Sequence, residues 1–149
     1  DFQGKILNTS SVPVKANVNE GKLCYAIAVS QLLQGAAPEN HLIYVELIVN
    51  KQTIADDILY LVRPMKLQLE KPQITYNIQP QNNGFRITLK SNVLAKNVFL
   101  SLKKSDGFFS DNYFDLLPGK ETVVYLSETD ANIDVAKELE IVTLYDSLP

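Results

Sequence analysis

The chain has 149 residues and a mass of 16.7 kDa, with 14 Lys plus Arg against 17 Asp plus Glu, a net charge of -3 and a pI near 5.1. This balance speaks against a nucleic-acid surface, which needs clustered positive charge. One Cys and one His exclude an internal disulfide framework, a Cys-cluster zinc site and a two-histidine metal site. No apolar run reaches the ~18 residues of a membrane span, and no charged start followed by an apolar core opens the chain. Apolar residues at 46% and charged ones at 21% are close to globular values of roughly 45–50% and 25%. A disordered chain is therefore not expected.

The pattern along the chain is that of strands. Val12, Val14, Ala16 and Val18 alternate with polar residues, and Pro13 consigns this strand to an edge because it cannot donate a ladder bond. Leu23, Tyr25, Ile27 and Val29 alternate with Lys22, Cys24, Ala26 and Ala28, so large side chains face one way and small ones the other. On that reading Cys24 is an inert buried thiol. Ser30 to Asn40, with Gly35 and Pro38, reads as a loop with a turn of helix. Leu42 to Val49 is almost continuously apolar, which fits a strand buried on both faces. Asn50-Lys51-Gln52 is a hairpin turn, and Ile54 to Val62 runs back. His41, beside this strand, reads as a surface or capping residue.

Arg63-Pro64-Met65-Lys66 and Lys71-Pro72 break the pattern. Proline fixes φ and removes donors, so 63–72 reads as a crossing between two units. Beyond it, Ile74, Tyr76, Ile78 and then Phe85, Ile87, Leu89 alternate cleanly with polar residues around Pro80-Gln81-Asn82-Asn83-Gly84, a hairpin. Further strands are expected at Asn97 to Lys103, Tyr113 to Leu117, Glu121 to Leu126 and Leu139 to Tyr145. Thr129 to Glu138 reads as a crossover with one turn of helix. The turn spacing is that of a sandwich. A seven-strand sandwich needs about 100 residues, so the shorter first half is expected to lack strands, with exposed edges that invite self-association.

Gly107-Phe108-Phe109-Ser110-Asp111-Asn112-Tyr113-Phe114-Asp115-Leu116-Leu117-Pro118-Gly119 resembles the stretch that marks the last immunoglobulin-like domain of family 2 β-mannosidases. Tyr60-Leu61-Val62-Arg63-Pro64-Met65-Lys66-Leu67 resembles the crossing that precedes that domain. Asp1-Phe2-Gln3-Gly4-Lys5 resembles a turn inside the penultimate domain, after its first two strands. Arg63, Met65 and Lys120 depart from the usual residues. The resemblance implies an all-β chain of two immunoglobulin-like β-sandwich units in tandem, 1–66 and 67–149, the first truncated. It implies a non-catalytic C-terminal fragment of a β-mannosidase, periplasmic or secreted in a bacterium. The parent would remove terminal non-reducing β-D-mannose with retention, using two carboxyls ~5–5.5 Å apart in a barrel not contained in this sequence. No catalytic residue, metal or cofactor is thereby assigned to the chain. Partners would be other domains of the parent, with mannosides a further class. A carbohydrate-binding sandwich and a cell-surface structural domain remain alternatives. Binding would require a row of exposed aromatic side chains, scaffolding an apolar patch.

Among single residues, Asp106, Asp111 and Asp115 are candidates for a calcium site or for turn capping. Tyr113 reads as a corner tyrosine whose hydroxyl bonds to the backbone, with a sugar-stacking platform as the alternative. Asp115, Pro118, Gly119 and Pro64 read as structural. Phe108 and Phe109 are adjacent, so one must face outward, either under a loop or against another domain. Asn8-Thr9-Ser10 matches the N-glycosylation pattern.

Overall fold

The computed structural model describes residues 1–15, 17–81, 83–129 and 133–148. It divides into two compact units, one of Asp1 and Lys5–Gln68, the other of Phe2–Gly4 and Leu69–Pro149. The chain is all-β apart from short helical turns.

In the first unit the described elements are helix α1 (Val29–Leu33), a 3-10 turn at Pro38–Asn40, and the hairpin β1 (Leu42–Val49) and β2 (Gln52–Tyr60). The hairpin closes on Asn50 and Lys51, with φ of 51° and 65°. Two left-handed residues in a two-residue loop are what a type I′ turn requires, and its twist matches that of the strands. Opposite Leu47 the register slips by one residue, so that Ile48 pairs with Thr53 and Ile54 is a bulge. Paired residues share a face. One face carries Ile43, Val45, Leu47, Val49 and Leu59 with Asp57, Ala55 and Gln52; the other mixes Leu42, Ile48, Ile58 and Tyr60 with Tyr44, Glu46, Asp56 and Thr53. On the second face the Tyr44 hydroxyl donates to Asp56 at 2.8 Å, with Glu46 a second carboxylate 3.1 Å away.

Three expectations for this half are corrected. β1 is not buried on both faces: Val45, Leu47, Ile48 and Val49 are all exposed. Its sheet has two strands, and among the described residues no further strand joins it. The segments at 12–18 and 23–29 form no strand among their described residues. Alternation prepares a ladder but does not supply the partner chain, and Val18 and Leu23 are open to solvent. Cys24 is exposed for the same reason. Ala16, in the first of these segments, lies outside the described residues.

The second unit is a closed sandwich. Its strands are β3 (Ile74–Gln81), β4 (Gly84–Ser91), β5 (Ala95–Leu102), β6 (Phe108–Phe109), β7 (Phe114–Leu116), β8 (Thr122–Ser127) and β9 (Leu139–Val142), with helix α2 (Val135–Glu138) before the last. One sheet runs β3-β4-β8-β6 and the other β7-β5-β9, with antiparallel neighbours. Ile78, Ile87 and Val124 lie in one inward row across three strands. Ile87, Leu89, Val98, Leu100, Leu116, Val124 and Leu126 form the core between the sheets. Each such side chain contributes roughly 1.5–3 kcal/mol on burial. Gly84 sits where β4 meets β8; a Cβ there would fall 2.1 Å from the Leu126 carbonyl oxygen.

The predicted hairpin at 73–90 forms as β3 and β4, with Asn82 outside the described residues. The last strand stops at Val142, earlier than the pattern predicts. Thr143 opens a capping box, with Asp146 accepting from its backbone N–H and its hydroxyl at 2.8 Å each, and a 3-10 turn follows at Leu144–Ser147. The predicted helical turn falls at α2, while Asp130, Ala131 and Asn132 lie outside the described residues. Phe2 also belongs to this unit: it is buried, and its carbonyl accepts from Leu94 N–H at 2.7 Å.

Candidate functional site

The densest set of specific contacts lies at one end of β5. A bulge between Ala95 and Val98 puts Asn97 at φ 51°. The Asn97 N–H, turned out of the ladder, is then taken by Asp115 Oδ1 at 2.7 Å, while Asp115 Oδ2 pairs with Lys96 Nζ at 3.2 Å. Both side chains of that ion pair are about nine-tenths buried, at 12% and 13% exposure. Asn112 reaches across to β5 in the manner of a strand: its Oδ1 accepts from Leu100 N–H at 2.6 Å and its Nδ2 donates to Leu100 O at 2.9 Å. Asp111 in turn accepts from Asn112 N–H at 2.8 Å.

Between these clamps stands Tyr113. Its N–H donates to Val98 O at 2.8 Å. Its φ is 62°, an outlier for a bulky side chain. The ring is 67% exposed and lies on Phe99 with centroids 5.0 Å apart and planes at 30°. This overturns the buried-hydroxyl corner. A side chain that exposed is not the buried corner expected of it. Beyond Phe99 the same face of the sheet continues with Val142, paired with Phe99, and with Ser101 paired to Glu140.

The acidic trio does not converge. Asp111 and Asp115 have the backbone partners just given, and among the described residues no group of three His, Cys, Asp or Glu could hold a metal ion. Pro118 and Gly119 form the turn after β7: Lys120 N–H donates to Leu117 O at 3.1 Å, and Gly119 has the positive φ, 77°, of the third position in a type II turn. Pro64 opens a 3-10 turn at Pro64–Lys66, where its missing donor costs nothing. Phe109 points inward against the core, while Phe108 is exposed rather than tucked under a loop. His41 is buried rather than on the surface, and it caps the C-terminal end of the 3-10 turn Pro38–Asn40, with Nδ1 2.6 Å from Ala37 O. Asn8, Thr9 and Ser10 are exposed. A shallow depression of about 320 Å3 lies over Asn77, Arg86, Thr88 and Lys90, crossed by a Lys90–Glu121 ion pair at 2.7 Å.

Sequence reasoning did not single out Phe99, Lys96 or the role of the Asn112 amide. No local pattern marks them, because each acts on a strand at least ten residues distant.

Two family models match the chain. One, described as an Ig-fold domain of mannosidases, covers residues 69–147. The other, a mannosidase Ig/CBM-like domain, covers residues 1–65. No curated protein matches. Among solved structures, a β-D-mannosidase from Dictyoglomus thermophilum superposes with a TM-score of 0.62 at 17% identity, over 76% of this chain. The chain spans 14% of that protein's length.

Proposed function

Since the chain belongs to the family of mannosidase Ig-fold domains, we propose that it is a non-catalytic accessory segment of a longer β-mannosidase, holding and stabilising the other domains of that protein. The observation that carries this reading is the apolar face of β1 and β2. Val45, Leu47, Val49 and Leu59 are exposed there together, with Asp57 opposite Val45 as the charged residue among them. A two-stranded sheet is marginal alone and is stabilised by packing its apolar face against another element. In a protein several times longer than this chain, as the Dictyoglomus relative is, another domain is the natural cover.

In this reading the longer protein hydrolyses terminal non-reducing β-D-mannose residues with retention, and its two carboxylates lie outside these 149 residues. The isolated chain is expected to turn over no aryl β-mannoside. Turnover that disappears on mutation of one of its own Glu residues sinks the proposal. In the longer protein, Val45→Asp together with Leu47→Asp should lower the unfolding temperature while leaving KM unchanged. Unaltered stability would show that the face is not covered. A second reading, a sugar-binding module, is favoured by one observation, the exposed Tyr113 ring.

A further inference from the structure

We infer that Tyr113 is a stacking platform for β-linked mannopyranosyl units, a binding role that deepens the accessory reading above and takes its sugar class from it. The backbone is the first argument. A tyrosine at φ 62° occupies a conformation that glycine or asparagine adopts with less strain, and such outliers persist where the surroundings enforce them. Here the neighbours enforce it from both sides: the Asn112 amide is bonded to Leu100 N–H and O, and Asp115 is bonded to Asn97 N–H and Lys96. The backbone that carries the ring is therefore fixed before any ligand arrives, and the ring itself rests on Phe99, which lowers the ordering cost that a mobile side chain would incur on binding.

The second argument is the surface itself. Phe99 backs the Tyr113 ring, which remains 67% exposed. The adjacent Lys96 and Asp115 are paired with each other and largely buried. The same sheet face offers Val142 and, one pair further along, Ser101 and Glu140 as hydroxyl and carboxylate partners for sugar hydroxyls. A neutral aromatic ring bordered by such groups suits a pyranose. In a β-mannopyranoside the hydrogens on carbons 1, 3 and 5 are axial on one face, and the axial 2-hydroxyl lies on the other. That hydrogen-bearing face meets the negative face of the aromatic quadrupole. An α-mannoside lacks the axial hydrogen on carbon 1 and should stack less well.

The test is a titration of the nitrogen-15-labelled chain with β-1,4-mannohexaose, followed by NMR. Shifts are expected at Tyr113, Phe99, Ser101 and Val142, with weaker binding of an α-linked mannohexaose. Tyr113→Gly relaxes the left-handed backbone and so keeps the fold; it should lose at least about threefold in affinity. Tyr113→Phe should retain binding, as should Tyr125→Ala, a variant at an exposed aromatic on the other sheet. Absence of shifts, equal affinity in Tyr113→Gly, or equal binding of the α-linked sugar overturns the proposal. None of those results touches the accessory reading, which stands or falls on the stability and activity of the longer protein. A Tyr113 that binds no mannan but whose loss destabilises that protein would be a domain contact instead.

Discussion

The two units contain strand patterns of similar quality and reach different ends. Ile87 and Leu89 alternate with Arg86 and Thr88, as Leu23 and Tyr25 do with Cys24 and Ala26. The first pair is wholly buried; Leu23 is almost wholly exposed. In the second unit β4 lies between β3 and β8, and an opposing sheet covers its apolar face. In the first unit the described residues offer 23–28 no ladder partner. Periodicity therefore reports how a segment would pack, whereas burial depends on a partner elsewhere in the chain.

Hydrogen exchange should show the largest contrast. Amides of Ile87, Leu100 and Val124 should exchange at least about a thousandfold more slowly than those of residues 8–28, since core strands open only near global unfolding. Uniform protection in a monomer would show that the first unit is as well supported as the second. Leu100→Ala should cost about 2–5 kcal/mol through the cavity it leaves, while Leu47→Ala in the first unit should stay within about 0.5 kcal/mol in the isolated chain; thermal denaturation of both decides. Asp115→Ala removes the acceptor of Asn97 N–H and one carboxylate of the largely buried ion pair with Lys96, so about 1–3 kcal/mol should be lost from the second unit, read by urea unfolding. The smallest effect concerns pH. The hydrogen bond from Lys90 holds the Glu121 carboxyl below its usual pKa, with that charge adding to it. Its folded pKa is depressed, so its stabilising contribution is present at neutral pH and fades as pH falls through that lowered value. The pair is exposed and screened, so an NMR titration of Glu121 should show a downward shift that added salt erases.

Much of the fold was legible in advance. The β3–β4 hairpin follows from Ile74 to Leu89, and the β1–β2 hairpin from the polar triplet at Asn50. The Pro118-Gly119 turn is a local pairing of fixed φ with free φ. The site was less legible. Tyr113 reads as a corner residue because its neighbours in sequence place it before a turn. Its exposure goes with a left-handed backbone at φ 62° and a ring laid on Phe99, fourteen residues away, neither of which the local pattern shows. His41 caps the 3-10 turn as one of its two readings has it, but its burial was not legible, since the carbonyl that it meets, Ala37 O, lies across a turn that the sequence shows merely as a loop.

The Asn112 amide has a consequence for how the second unit behaves in a crowded solution. With its carbonyl and amine engaging Leu100, it occupies the stretch of β5 where an extended segment of a neighbouring molecule could otherwise hydrogen-bond. A side chain thus does the insulating work of a strand, and it depends on one nitrogen. Conversion of that amide to a carboxylate, as slow deamidation would achieve, removes the donor to Leu100 O and sets two acceptors side by side. Aged protein would then acquire a sticky edge without any change in its core, and the loss of one ammonia would mark the molecules that have begun to associate.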